Sequence, residues 1–327
     1  MNIKRRNHQA CVLLDGNVLV TGGFNNRSKY LKTTELYDTL RNSWTVVGHM
    51  SYMRQMHTTS LLVDGTVLVI GGYQGGSLKR AELYNLLNKS WSDTISMKNS
   101  RHNHTASVLI NGNVLVAGGI VNNKGSSNST ILYNPLTKWQ VTGDMNTARH
   151  TFTTLRFKNG KILAIGGQRN REILSSVEIY DPLIGSWSFT NSMKYSRTYH
   201  TASLLNNGKV LVTGGYNREK SLEITELYDP STGTWSVSGT INYARHHHTA
   251  SVLPNGNILV AGGFIGDIPT NTSEIYDIIT ETWTIVHSMK TRRALHTASV
   301  LLNGDILITG GTDGSMDLSQ SELYRST

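Results

Sequence analysis

The chain has 327 residues, a formal net charge of +9 and one cysteine, Cys11. A lone thiol excludes an internal disulfide and a cysteine-based zinc set, and no run of 18 apolar residues offers a membrane-spanning helix. A chain of this length can bury about 75% of its unfolded surface, so it needs no covalent staple.

From the N-terminus, an apolar stretch leads to Asp15-Gly16 and a second one ends in Gly22-Gly23. Asx-Gly between alternating apolar residues predicts a tight hairpin of two strands, A and B, with positive φ at both turn positions. A variable loop follows, then a strand C carrying Glu35-x-Tyr37, a turn, and a strand D carrying Trp44. The series then recurs to the end of the chain, with Gly-Gly pairs spaced 47 to 49 residues apart. A unit of that size cannot bury its own faces, so seven copies must stack. Repeated four-stranded antiparallel units predict an all-β, seven-bladed β-propeller filling 1–327 as one domain. The repeats fall near 1–49, 50–96, 97–144, 145–192, 193–240, 241–288 and 289–327.

Arg-x-x-His, Gly-Gly, Glu-x-Tyr and Trp in this order resemble the kelch family across the whole chain. The resemblance implies a kelch-type propeller whose ligand meets two sets of positions. One follows Gly-Gly and holds Phe24, Tyr73, Tyr216 and Phe264; the other lies two residues after the repeated Arg and holds Asn7, Met56, Asn103, Thr151, Tyr199, His247 and Leu295.

Residues used once per blade are expected to hold the scaffold together. The strand C tyrosines and the six tryptophans read as packing between sheets. Histidines 8, 57, 104, 200, 248 and 296 are spread around a ring, too dispersed for one metal. His246-His247-His248 cannot converge if they lie in a strand, where successive side chains point to opposite faces. Two absences suggest an inter-blade contact: the third repeat has Ile131 in place of Glu, and the fourth has Phe152 in place of His. Glu of one blade is therefore expected to meet His of the next, as Glu178 with His200 and Glu226 with His248. The repeated Arg, as in Arg54 beside His57, is the rival partner.

Strand direction puts the B–C loops and D–A connections on one face and the short A–B and C–D turns on the other. The loop face varies from blade to blade and is basic, with Arg27, Lys79, Arg80, Arg169, Arg171, Arg218 and Lys220 among its residues. Variable loops on a rigid frame carry binding, and a basic surface selects anionic partners. The expected site is Phe24, Tyr73, Arg169, Tyr199, Arg218, His247 and Phe264, binding an acidic peptide or protein segment. Nucleic acid ranks below protein, because no recognition helix or sequence module accompanies the charge.

The expectation is a monomeric, non-enzymatic interaction module with no cofactor, no metal and no membrane contact. The alternative is a kelch-type enzyme resembling galactose oxidase, acting on a sugar or small molecule. Those oxidases are expected to need a cysteine crosslinked to tyrosine plus metal ligands, and Cys11 in a repeated strand fits poorly. Met1 stands four residues before Arg5, as Met50 does before Arg54, so the chain begins where a strand D ends. The last blade is expected to lack its outer strand, leaving either an exposed edge or a native chain extended upstream. The expected compartment is the cytoplasm, or the secretory route if such an extension carries a signal.

Overall fold

A computed structural model describes residues 1–326 and places seven antiparallel sheets as the blades of a closed β-propeller. Blade one joins strand A (Gln9–Val12), B (Val18–Thr21), C (Thr33–Asp38) and D (Ser43–His49) in that spatial order. Five more blades repeat it, with strand A at Thr58–Leu61, Thr105–Val108, Thr153–Arg156, Thr201–Leu204 and Thr249–Val252. Their strands D are Ser90–Thr94, Lys138–Val141, Ser186–Thr190, Thr234–Thr240 and Thr282–Val286. Blade seven has three strands, Thr297–Val300, Ile306–Thr309 and Ser321–Tyr324. No helix of the described residues is long and apolar enough to cross a membrane.

Strand A is innermost, and each packs against the strands A of both neighbouring blades, first against last included. Strand B is flanked within its sheet and covered on both faces, so every one of its residues is buried in all seven blades. A strand buried on both faces reads as a continuous apolar run, which is why Val-Leu-Val recurs there. The core lies between blades: Leu13 and Leu19 pack with Val67 and Tyr84, and Val18 and Tyr37 with Leu301 and Leu307 close the ring.

The Gly-Gly pair is required by contact across that junction. Gly23 N–H donates to the Arg54 carbonyl of the next blade at 2.8 Å, and Gly311 repeats the bond to Arg5 at 2.9 Å. A Cβ on Gly22 (φ 58°) would sit 2.5 Å from the Arg54 oxygen, so no side chain fits.

The A–B hairpin differs from the expected two-residue turn. Only its glycine takes positive φ, as at Gly16 (82°), and Leu13 and Gly16 N–H donate to Asn17 and Leu13 carbonyls. This is a longer loop closed by a left-handed glycine. The Asx side chain has its own task, accepting the N–H two residues on at 2.9–3.1 Å in all seven blades.

The expected Glu–His contact is not formed. Glu178 accepts the backbone N–H groups of Asn146 and Thr147 and the Arg149 guanidinium, all within its own repeat. Glu226 does the same with Lys194, Tyr195 and Arg197. Six such Arg–Glu pairs, at 2.5–2.8 Å, pin the D–A connection to strand C. His200 and His248 reach instead to the Thr153 and Thr201 hydroxyls of the preceding blade, both at 2.9 Å, and His57 to Thr21. The two absences are separate events. Beside Ile131, Arg101 bonds only the Gly118 and Ser129 carbonyls and the Ser129 hydroxyl, and burial pushes its pKa down to about 10. Phe152 leaves the buried Thr105 hydroxyl without a partner.

Six strand C tyrosines are buried and pack against the tryptophan of their own blade in tilted or edge-on geometry, ring centroids 5.0–5.2 Å apart. Trp187 is buried and the other five are half-buried; the indole N–H groups of Trp187 and Trp283 have no hydrogen-bond partner among the described residues, whereas the other four clamp the preceding blade. Trp91, Trp139 and Trp235, for example, donate their indole N–H to the preceding blade.

Candidate functional site

The loop face is organised around its channel mouth. All seven residues two after the repeated Arg, from Asn7 to Leu295, are left-handed, with φ between 48° and 57°. Six of them donate N–H to the equivalent carbonyl of the preceding blade, as Met56 to Asn7 at 3.3 Å and His247 to Tyr199 at 3.1 Å. The remaining junction is bridged by the Thr198 hydroxyl donating to the Thr151 carbonyl at 3.0 Å. Non-glycine residues resist this conformation, Thr151 most because it is β-branched. The girdle engages their backbone with one another, so recognition here falls to side chains.

Two aromatic groups stand on that rim. On blades one to three, Phe24 meets Tyr30 at 5.6 Å, Tyr30 meets Tyr73 at 5.9 Å, and Tyr73 meets His102 at 4.9 Å. The Arg6 guanidinium lies over Phe24 at 4.9 Å while pairing with Asp317. On blades five and six, Tyr199 stacks on His247 at 3.8 Å, and His246 contacts both Tyr216 and Phe264. The expected aromatic positions therefore assemble as two groups.

Three members were missed in the sequence: Tyr30, His102 and His246. The last two follow the repeated Arg directly, and that position forms an antiparallel bridge with the residue after Gly-Gly, as His246 with Phe264. Both imidazoles are anchored by a serine of the preceding blade, His102 to Ser77 at 2.8 Å and His246 to Ser221 at 2.9 Å. His246 and His247 do converge, their rings 5.0 Å apart, because His247 is left-handed and precedes the strand. Burial pushes His102 down to about 4 and His247 to about 3, His246 adding to the latter. These rings are neutral at pH 7, and the buried His247 Nδ1 has no hydrogen-bond partner.

The positive charge comes from the loops. Arg27, Lys79, Arg80, Arg171, Arg218 and Lys220 are exposed. Among the described residues none of them lies within 4 Å of a carboxylate. Arg169 differs, since it pairs with Glu172. Arg218 donates only to the Arg171 carbonyl, which draws two cations together beside the Tyr216–His246 group.

The turn face is uniform in geometry but not inert in chemistry. Leu40, Leu87, Leu136 and Leu183 project from C–D turns at 89–95% exposure. Leu302, Leu14, Val63 and Ile110 form an inner apolar arc, each within reach of the next blade's turn glycine.

A family model described as the KLHDC2/KLHL20/DRC7 Kelch-repeats domain matches residues 7–196, 56–242 and 103–311. No curated protein matches the sequence. Among solved structures, the chain is similar to a fungal alcohol oxidase of the AA5 family in complex with copper. The identity is 20% and the TM-score 0.79, covering 96% of this chain and 73% of that one. It is also similar to the structure titled YjhT, at 15% identity and TM-score 0.68, covering 88% and 99%. At these identities the likeness concerns the fold alone. Among the described residues no three His, Cys, Asp or Glu side chains are grouped to hold a metal ion. Cys11 is half-buried, its thiol pushed up to about 11 by burial and directed to the Val12 carbonyl.

Proposed function

This chain belongs to the kelch-repeat family, and from that premise we propose that it is a non-enzymatic interaction module that docks an acidic peptide or protein segment on its loop face. One observation carries the reading. The exposed cations Arg27, Lys79, Arg80, Arg171, Arg218 and Lys220 of the loop face have no carboxylate partner among the described residues, whereas the buried arginines of six repeats do. Unpaired cations around neutral aromatic rings suit a ligand that combines carboxylates with apolar side chains, and arginine and aromatic residues dominate binding energetics at such surfaces.

Arg171 and Arg218, with Tyr216, Tyr199, His247 and Phe264, form the better half of the site. Phe24, Tyr30 and Tyr73 with Arg27 form a second half that a longer segment reaches across the mouth, while the Arg80 guanidinium lies over Tyr52 at 4.9 Å. Arg169 contributes less than its sequence position suggests, because Glu172 already neutralises it.

The test is to select Asp- and Glu-rich peptides against the purified protein and titrate the best with wild type and with R171E/R218E. The double variant should bind at least about tenfold more weakly, a loss of about 1.4 kcal/mol, and wild-type affinity should fall as salt rises. Equal affinity for both proteins would remove the loop face as the site. Turnover of a sugar or alcohol by the purified protein would overturn the non-enzymatic reading.

A further inference from the structure

Blade three departs from the other six at one buried position. Elsewhere a strand C glutamate fills a receptor made of three N–H donors. In blade four one Glu178 oxygen accepts from Arg149 Nη2 at 2.8 Å and from Thr147 N–H at 2.9 Å, and the other accepts from Asn146 N–H at 2.7 Å. Glu35, Glu82, Glu226, Glu274 and Glu322 divide their oxygens in the same way. Ile131 stands at that position in blade three and brings no acceptor.

The three donors are nevertheless held in place. Met97 and Arg101 N–H donate to the Lys79 and Leu78 carbonyls, both at 2.9 Å, as Met50 and Arg54 do to Lys32 and Leu31. Arg101 Nη1 spans the Gly118 and Ser129 carbonyls just as Arg149 Nη1 spans those of Gly166 and Ser176. Arg101 Nη2 donates to the Ser129 hydroxyl, but the hydrogen that Arg149 gives to Glu178 has no acceptor here. Lys98 and Asn99 N–H occupy the positions of Asn146 and Thr147 and have no acceptor among the described residues.

Charge makes the position demanding. Arg101 is 1% exposed, and its bonds all go to neutral groups. Asp144 opposes the burial that lowers its pKa, but that carboxylate is exposed and holds the Thr130 N–H. Water can serve the two amides, whereas a buried guanidinium is compensated only by an anion. Solvent reaches the position, because Ile131 is half-buried where five of the six glutamates are buried, and Lys98 is exposed beside it.

We propose that blade three binds a carboxylate from outside the chain, held between Arg101 Nη2 and the backbone N–H groups of Lys98 and Asn99, where the other blades use their own glutamate. Bound there, it pins the D–A connection and stabilises the blade. A free monocarboxylic acid and a glutamate side chain of a partner share this chemistry.

The probe is sodium formate, exchanged for sodium chloride at constant ionic strength while the amide signals of the isotope-labelled full chain are followed. The signals of Lys98 and Asn99 should move saturably, and the melting temperature should rise over the same range. Those of Asn146 and Thr147, already bonded to Glu178, should stay. Ile131→Glu supplies the missing carboxylate, so it should melt above wild type in chloride and no longer respond to formate. A capped Gly-Glu-Gly peptide titrated in parallel identifies the source: half-saturation below that of formate makes it a partner's side chain, and above it a free acid. Three results would overturn the proposal: Lys98 and Asn99 signals that formate leaves unmoved, Asn146 and Thr147 signals that move equally, or an Ile131→Glu protein that responds like wild type. The amide readout is made on wild type, so it decides the matter even if the variant does not fold.

Discussion

The loop rim and the turn rim sit on the same seven-fold frame and end in opposite chemistry. On the loop side, Arg, Glu and His are buried just beneath the surface, the backbone closes into a girdle, and exposed Arg and Lys surround aromatic rings. On the turn side, Asx carbonyls cap the hairpins locally and exposed leucines crown them. The two rims differ because their polar groups answer to different distances. Turn caps span two residues and leave the neighbouring blade out. The Arg–Glu pairs span about thirty residues of chain within a repeat, and the His–Thr bonds cross to the next blade. The loop rim is therefore held by long-range polar contacts that tolerate varied loops above them.

The largest expected effect comes from removing one of those contacts. Glu226→Ala strands the buried Arg197 and frees the N–H groups of Lys194 and Tyr195, at a cost of about 3–5 kcal/mol. Denaturant titration measures the loss. Hydrogen exchange should quicken around 194–197 while the turns at 207–209 keep their protection. Equal loosening on both rims would break the comparison.

Acid should act on the same layer. His200 and His296 are pushed to about 3, first by burial and then by the neighbouring Arg197 and Arg293. Between that value and the ordinary 6.5, the unfolded chain binds protons that the folded chain does not. Stability is thus intact above about pH 6.5 and falls by about 1.4 kcal/mol per pH unit per histidine as acid is added. His200→Phe, copying the natural Phe152, should remove one such contribution and flatten the pH dependence of the melting temperature. An unchanged slope would mean that His200 is protonated in the folded state.

On the turn rim, Leu87→Ser should shift stability by no more than about 0.5 kcal/mol, since the side chain is 95% exposed. It should also leave acidic-peptide affinity within about twofold. A larger loss of binding would transfer the site to the leucine crown.

Most of the frame was legible in the sequence because each device leaves a local mark: Gly-Gly for the close approach to the next blade, Asx-Gly for the hairpin, Tyr and Trp for the blade stack. Partner choice was less legible. Two adjacent absences pointed Glu178 toward His200, yet Arg149 lies on the connection that folds over the same sheet, and the constant presence of arginine in all seven repeats was the better guide. The aromatic rim of the candidate site was legible in part. Phe24, Tyr73, Tyr199, His247 and Phe264 reach the loop rim, but their division into two groups depends on Tyr30, His102 and His246. The left-handed turn that brings His246 and His247 together has no residue signature, since Asn, Met, Thr, Tyr, His and Leu all adopt it here.

The most direct measurement is a hydrogen-exchange footprint of the tightest Asp- and Glu-rich peptide on the wild-type protein. The account predicts protection at 216–220 and 246–247, extending to 24–30 and 73–80 for longer peptides, with the turns unchanged. Protection centred on the turns at 40–42 and 87–89, with the loops unchanged, would contradict it.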